Sequence, residues 1–123
     1  MRSALRIVIS LMGAAFTLQG VGWLIVPDQA AAGLGMPLLD GLARSTQVGD
    51  FAAFFLALGL SILAGVRPGH ARVLYFPAGL LGGAAVSRTV AWATHGAAFA
   101  ATFIMVETVA CLLLLASAQR ADG

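Results

Sequence analysis

The chain has 123 residues, of which 60% are hydrophobic and 10% are charged, and its mean hydropathy is +0.96. A soluble domain has about 25% charged residues. The charged residues of this chain are therefore too few to cover the surface of a water-soluble protein. The length leaves room for one domain, residues 1–123. The composition therefore excludes an ordinary soluble enzyme and predicts an integral membrane protein.

The charges and the single cysteine exclude other classes of protein. All seven basic residues are arginines, and five acidic residues leave a net charge of +2. The arginines form no basic stripe and are not interleaved with aromatic rings, so a nucleic-acid partner is rejected. Cys111 is the only cysteine, which excludes an internal disulfide and a multi-cysteine metal site. No metal site, cofactor ligand or catalytic group is identified, which favours a non-enzymatic role.

The first uncharged run, residues 7–26, is long enough for a helix that crosses the ~30 Å hydrocarbon core of a bilayer. A signal peptide is the rival interpretation, because an Ala-Ala-Ala run follows. The apolar region of a signal peptide is about 7–15 residues, whereas this run is longer and contains Gln19, so a retained helix is favoured. Pro27 is expected to end it, and Asp28 to cap a short turn within an interfacial connector.

Three further spans are predicted at residues 47–66, 73–94 and 97–118. The uncharged part of the second span, from Phe51 onward, is too short to cross a bilayer comfortably. Its helix must therefore start earlier, which brings Asp50 to the edge of the membrane. The predicted fold class is an all-α, integral membrane four-helix bundle.

Small residues recur at four-residue spacing on two of these spans, a pattern that lets helix backbones approach closely. They are Ala57, Ser61 and Gly65 on the second span, and Gly79 and Gly83 on the third. These faces are expected to pack helices together, and they offer a surface for a second copy of the chain or for another membrane subunit.

The arginines set the orientation of the predicted bundle. With the N-terminus inside, the inner segments hold Arg2, Arg6, Arg67, Arg72 and Arg120. Only Arg44 lies in an outer loop, so the positive-inside rule places both termini in the cytoplasm. Trp23 and Trp92 are then expected at the outer interface, where indole rings concentrate. The expected location is the plasma membrane of a bacterium (its inner membrane), with membrane lipid as the surrounding partner.

Four polar side chains, one from each span, fall in the outer half of this predicted membrane. They are Gln19, Asp50, Arg88 and Glu107. Three charges facing lipid would cost on the order of 9 kcal/mol, and an arginine cannot lose its charge. The three charged groups are therefore expected to point into the bundle, with Arg88 contacting at least one carboxylate.

Further groups are expected beside this polar cluster. Ser87, Thr89 or Thr102 could supply additional hydrogen bonds. One cation faces two acids, so one acid is expected to be protonated, and Glu107 is favoured because it lies deeper. His95 is expected to be a solvated loop residue; the alternative is that it extends a proton path to the outer face.

The order of these features resembles that of a known family. The residues that carry the resemblance, which covers nearly the whole chain, are Pro27, Ala57, Leu58, Gly59, Arg88, Gly96 and Glu107. The family comprises small bacterial four-helix membrane proteins catalogued as domain of unknown function 4345. Family members usually have Gly before the arginine and Asp-Gly in the following turn, where this chain has Ser87 and His95-Gly96. The resemblance implies a fold and a bacterial membrane setting, but no activity.

Two functions are compatible with the sequence. The first is a non-enzymatic four-helix scaffold or complex subunit in which the polar cluster fixes helix packing. The alternative is proton-linked binding or transport of a small anionic or amphipathic ligand at Arg88. Quinone-linked redox chemistry lacks a cofactor ligand. An open cavity that reaches Arg88 would favour binding, whereas a dry and fully paired Arg88 would favour the scaffold.

Overall fold

The computed structural model describes residues 2–122, and these residues are helical apart from their connections. The five α-helices are α1 (Ser3–Ile25), α2 (Pro27–Gly33), α3 (Gly41–Gly65), α4 (Tyr75–Thr94) and α5 (Ala101–Asp122). A short 3-10 turn, Ala71–Leu74, leads directly into α4. No strand occurs between residues 2 and 122.

Four of these helices are long and apolar enough to cross a membrane. They are α1, α3, α4 together with its 3-10 turn, and α5. Large apolar side chains also lie exposed on their outer faces, among them Leu11, Leu18, Leu60 and Val86. The prediction of an all-α chain with four candidate membrane-spanning helices is confirmed.

The helix boundaries differ from the predicted spans at several points. Helix α3 begins at Gly41, six residues before the predicted start at residue 47. The backbone is extended at Asp40 and helical from Gly41 onward, so the first turn of the helix contains Arg44. Asp50 consequently lies about 14 Å along α3 at 1.5 Å per residue. Helix α5 begins at Ala101 rather than residue 97, because Ala97 N donates to Ala91 O across the end of α4.

The connector between α1 and α3 is ordered by one buried amide. Pro27 ends α1 and occupies the first turn of α2, but Asp28 does not cap that helix. Gln47, only 4% exposed, donates from Nε2 to Pro37 O at 3.0 Å and accepts from Leu39 N at 2.9 Å. These two bonds fasten the residues before α3 against the helix itself.

Helices α1 and α3 approach most closely at glycines. A Cβ atom added to Gly59 would overlap the backbone nitrogen and the hydroxyl of Thr17, and one added to Gly20 would lie 2.9 Å from Leu56 N. Ala57, the first residue of the predicted stripe, is exposed and does not pack against another helix of the same chain. The reason is that α3 is rotated so that Gly59, two residues further on, faces α1.

The third span uses its glycines differently from the prediction. Gly79 and Gly83 are exposed, and a Cβ atom at either position would have no neighbour within 4 Å. They therefore do not pack α4 against another helix of the same chain. Their part in contacts with a second copy stays a prediction.

The bundle is closed at one end and divided at the other. At the closed end the 3-10 turn lies against α3 and α5, and Leu74 fills the space beside Gly65. Ile62 and Leu114 are fully buried in the same core. Elsewhere α1 lies mainly along α3, and α4 mainly along α5, so the molecule consists of two helix pairs joined at one end.

Candidate ligand-binding cavity

The two helix pairs leave a cavity of about 680 Å³ between them. Pockets that bind small molecules have volumes of about 300–1,000 Å³. Five phenylalanines supply much of its wall: Phe16, Phe51, Phe54, Phe55 and Phe103. Three charged side chains also line it: Asp50, Arg88 and Glu107. The cavity is therefore apolar over most of its surface and carries a small number of charged groups.

Helices α4 and α5 bring an ion pair into the cavity wall. Arg88 follows Leu81 and Ala84 on the face of α4 that lines the cavity. Its Nε–H donates to Glu107 Oε1 on α5 at 2.9 Å. The Glu107 side chain is 12% exposed and that of Arg88 is 35% exposed. The pair thus joins two helices while leaving much of the guanidinium accessible from the cavity.

The guanidinium is held by an aromatic ring as well as by the carboxylate. Its Cζ atom lies 4.6 Å from the centroid of the Phe103 ring, one turn before Glu107 on α5. Such a cation–π contact is worth about 0.5–2 kcal/mol, depending on desolvation. An arginine has five N–H donors, and within residues 2–122 only the Nε–H has a protein acceptor. The remaining donors are available to another molecule.

Asp50 and Gln19 line the same cavity but do not join the ion pair. Asp50 lies on α3 and makes no hydrogen bond or ion pair with any residue that the structure describes. Gln19 lies on α1 and is exposed. Of the four side chains in the predicted cluster, the structure places all four around one space but brings only Arg88 and Glu107 into contact.

The smaller polar residues contribute less than expected. Thr89 donates its hydroxyl hydrogen to Ala85 O at 2.9 Å, within its own helix, so the expectation that it serves the ion pair is wrong. Ser87 is exposed on α4, and Thr102 lines the cavity. Which acid carries a proton stays a prediction. Among the described residues, no group of His, Cys, Asp or Glu is arranged to hold a metal ion.

The residues expected at the outer interface have different surroundings. Trp23 is 1% exposed and stacks on Phe51 with ring centroids 4.9 Å apart, so it belongs to the core of the chain. Its expected depth near the outer interface stays a prediction. Trp92 is half-exposed and packs on Phe99. His95 is exposed at the end of α4 and does not line the cavity.

The phenylalanine cluster was missed in the sequence. Phe51, Phe54 and Phe55 follow the spacing of one helical face, which was the available signal. Because α3 is apolar on all sides from Phe51 onward, that spacing does not distinguish a cavity wall from a lipid-facing surface. The rings contact each other: Phe54 and Phe55 meet edge to face at 5.2 Å, and Phe55 stacks with Phe16 at 6.1 Å.

Comparisons with known proteins give no relative from which a role could be transferred. No family model matches the chain, and neither a curated protein nor a solved structure matches it. The geometry of the cavity therefore has to support any functional conclusion.

Proposed function

We propose that this protein binds a small amphipathic molecule within the membrane, in the cavity between its two helix pairs. The observation that carries the proposal is the 680 Å³ space with the partly accessible Arg88 in its wall. A scaffold whose ion pair only fixed helix packing would need neither the space nor free guanidinium donors. The cavity supports binding over the scaffold role.

The cavity has two chemically different parts. Phe16, Phe54 and Phe55 offer an apolar surface to the body of a ligand, and burial there is worth about 25 cal/mol for each Å² removed from water. Arg88 and Glu107 offer hydrogen-bond donors and acceptors to a polar group. These few polar contacts would fix the ligand's orientation.

The membrane setting is part of the same proposal. Four candidate spans and their exposed apolar side chains support insertion in a bilayer. The distribution of arginines supports cytoplasmic termini, with the cavity toward the outer half. The resemblance to domain of unknown function 4345 would place the chain in the inner membrane of a bacterium.

Reporter fusions test this orientation. We expect green fluorescent protein to fluoresce when fused to either terminus, and alkaline phosphatase to be inactive there, because the phosphatase folds only outside the cytoplasm. A phosphatase fusion truncated in the loop after His95 should be active and serves as the control. Active phosphatase at one intact terminus only would contradict the orientation.

Photolabelling tests the binding proposal. The probe is a photoactivatable aliphatic alcohol that carries a diazirine, and labelled peptides are mapped by mass spectrometry. We expect labelling of the α3 and α5 peptides that contain Phe54 and Phe103. Ala84→Phe, which adds a ring to the cavity wall, should reduce that labelling severalfold, because it removes free volume.

The matched control is Val86→Phe, which places the same ring on an outward face of α4. It should leave cavity labelling unchanged. Equal labelling of wild type and Ala84→Phe, with label spread over outward-facing residues, would contradict binding in the cavity.

A further inference from the structure

The charges around the cavity are unbalanced. One cation, Arg88, and two acids, Asp50 and Glu107, line it. Glu107 accepts a hydrogen bond from Arg88 and balances its charge, whereas Asp50 has no partner among the residues that the structure describes. With all three groups ionised, the cavity wall has a formal charge of minus one.

We propose that the molecule bound in this cavity is an amphipathic organic cation, and that Asp50 is its counter-charge. The inference rests on the proposed function, because it names the class of ligand for the same cavity. Asp50 is exposed within this chain, and a carboxylate at that depth in a membrane is costly without a partner of opposite charge. A ligand with an ammonium or phosphonium centre would supply that partner.

Aromatic rings near Asp50 suit the same class of ligand. Phe51 is its neighbour in the chain, and Phe54 follows one helical turn later; both line the cavity. The face of an aromatic ring attracts a cation through its negative quadrupole. The ring of Phe103 is already occupied by the guanidinium of Arg88. The groups left to attract a second cation therefore lie on α3, apart from Phe16 on α1.

An anion would meet less favourable electrostatics in the same space. It would compete with Glu107 for Arg88, the only basic residue that the described part of the chain contributes to the wall, and it would face the unpaired charge of Asp50. Like charges repel strongly where little water screens them. The cavity therefore selects against the anionic ligand that the sequence had suggested.

Two ions of nearly identical shape and opposite charge test this inference. Tetraphenylphosphonium and tetraphenylborate are measured by equilibrium dialysis against the purified full-length protein in a non-ionic detergent, with protein-free micelles as the blank. We expect the wild type to bind the phosphonium in preference to the borate. Asp50→Asn should weaken phosphonium binding by at least about tenfold, the effect of losing one close charge pair.

Two variants separate loss of charge from loss of fold. Asp28→Asn removes a carboxylate on α2 that does not line the cavity, and it should bind the phosphonium as wild type does. Asp50→Glu keeps the charge and should retain binding. Thermal unfolding monitored on the same samples should show no loss of stability in Asp50→Asn, because the carboxylate makes no hydrogen bond or ion pair with the described residues and its unpaired charge costs free energy.

The outcomes distinguish this inference from the proposed function. Equal phosphonium binding by wild type and Asp50→Asn would overturn the cation inference. A preference of the wild type for the borate would also overturn the cation inference. If Arg88→Gln then removed that preference, binding in the cavity would still stand. If neither ion binds while the aliphatic alcohol still labels the cavity, the cation inference fails and the proposed function remains. If cavity labelling is also absent, both fail.

Discussion

Gly59→Ala is expected to lower the free energy of unfolding by about 3 kcal/mol, the upper part of the range for overpacked sites. The added Cβ atom would overlap Thr17, including its backbone nitrogen, and would lie 2.7 Å from Gly13 O. Backbone atoms cannot rotate away as a flexible side chain can. Helix α1 must therefore move away from α3, which separates the residues that pack along their whole interface.

Gly49→Ala is the matched control in the same helix. Gly49 is exposed and has no atom within 4 Å of an added Cβ, so the alanine should stabilise α3 by about 0.5–1 kcal/mol through helix propensity. Reversible unfolding in mixed micelles, followed by circular dichroism, measures both variants. Similar free energies of unfolding for the two variants would show that α1 and α3 do not meet at Gly59.

Glu107→Ala is expected to cost about 2 kcal/mol. An unpaired arginine near the centre of a membrane helix costs about 2.5–3.5 kcal/mol on insertion scales. We reduce that figure because the Arg88 side chain is 35% exposed, which lets solvent or detergent headgroups screen its charge. The Phe103 ring continues to hold the guanidinium, so the fold should persist.

A double variant shows whether the cost comes from the unpaired charge. Arg88→Met combined with Glu107→Leu replaces the pair by apolar groups and should recover most of the stability lost in Glu107→Ala, since apolar replacements of such pairs are often neutral. The same unfolding assay is used. The single variants Arg88→Met and Glu107→Leu are measured in the same way. If their effects on the free energy of unfolding simply add in the double variant, the contact between the two side chains contributes nothing to stability.

The four long helices could be predicted because a membrane-spanning helix is recognised from one continuous stretch of sequence. About 20 apolar residues in succession suffice to cross a bilayer, and the sequence offers such runs. The positions of the helix ends were predicted less accurately. Helix α3 includes Arg44, whereas the predicted span began at residue 47, where enough length to cross a bilayer had been reached. The start of α5 depends on the bond from Ala97 to Ala91, which joins the end of α4 to the next turn.

The faces of the helices were harder to predict than their positions. A charge identifies the inward face, because facing lipid is costly, so the orientation of Arg88 toward a carboxylate could be expected. The predicted depths did not show whether Arg88 pairs with Glu107 or with Asp50, because that pairing depends on how each helix is rotated about its axis. Apolar residues give no comparable signal in a helix that is apolar all round. The burial of Trp23 and the contact at Gly59 depend on that rotation.

A crystal structure grown in a lipidic mesophase tests the central claim most directly. We predict that the two helix pairs remain apart at the level of Arg88, with density for a non-protein molecule between the phenylalanine rings that line the cavity. A structure in which α1 and α3 close onto α4 and α5, leaving Arg88 fully paired and no space between them, would contradict it.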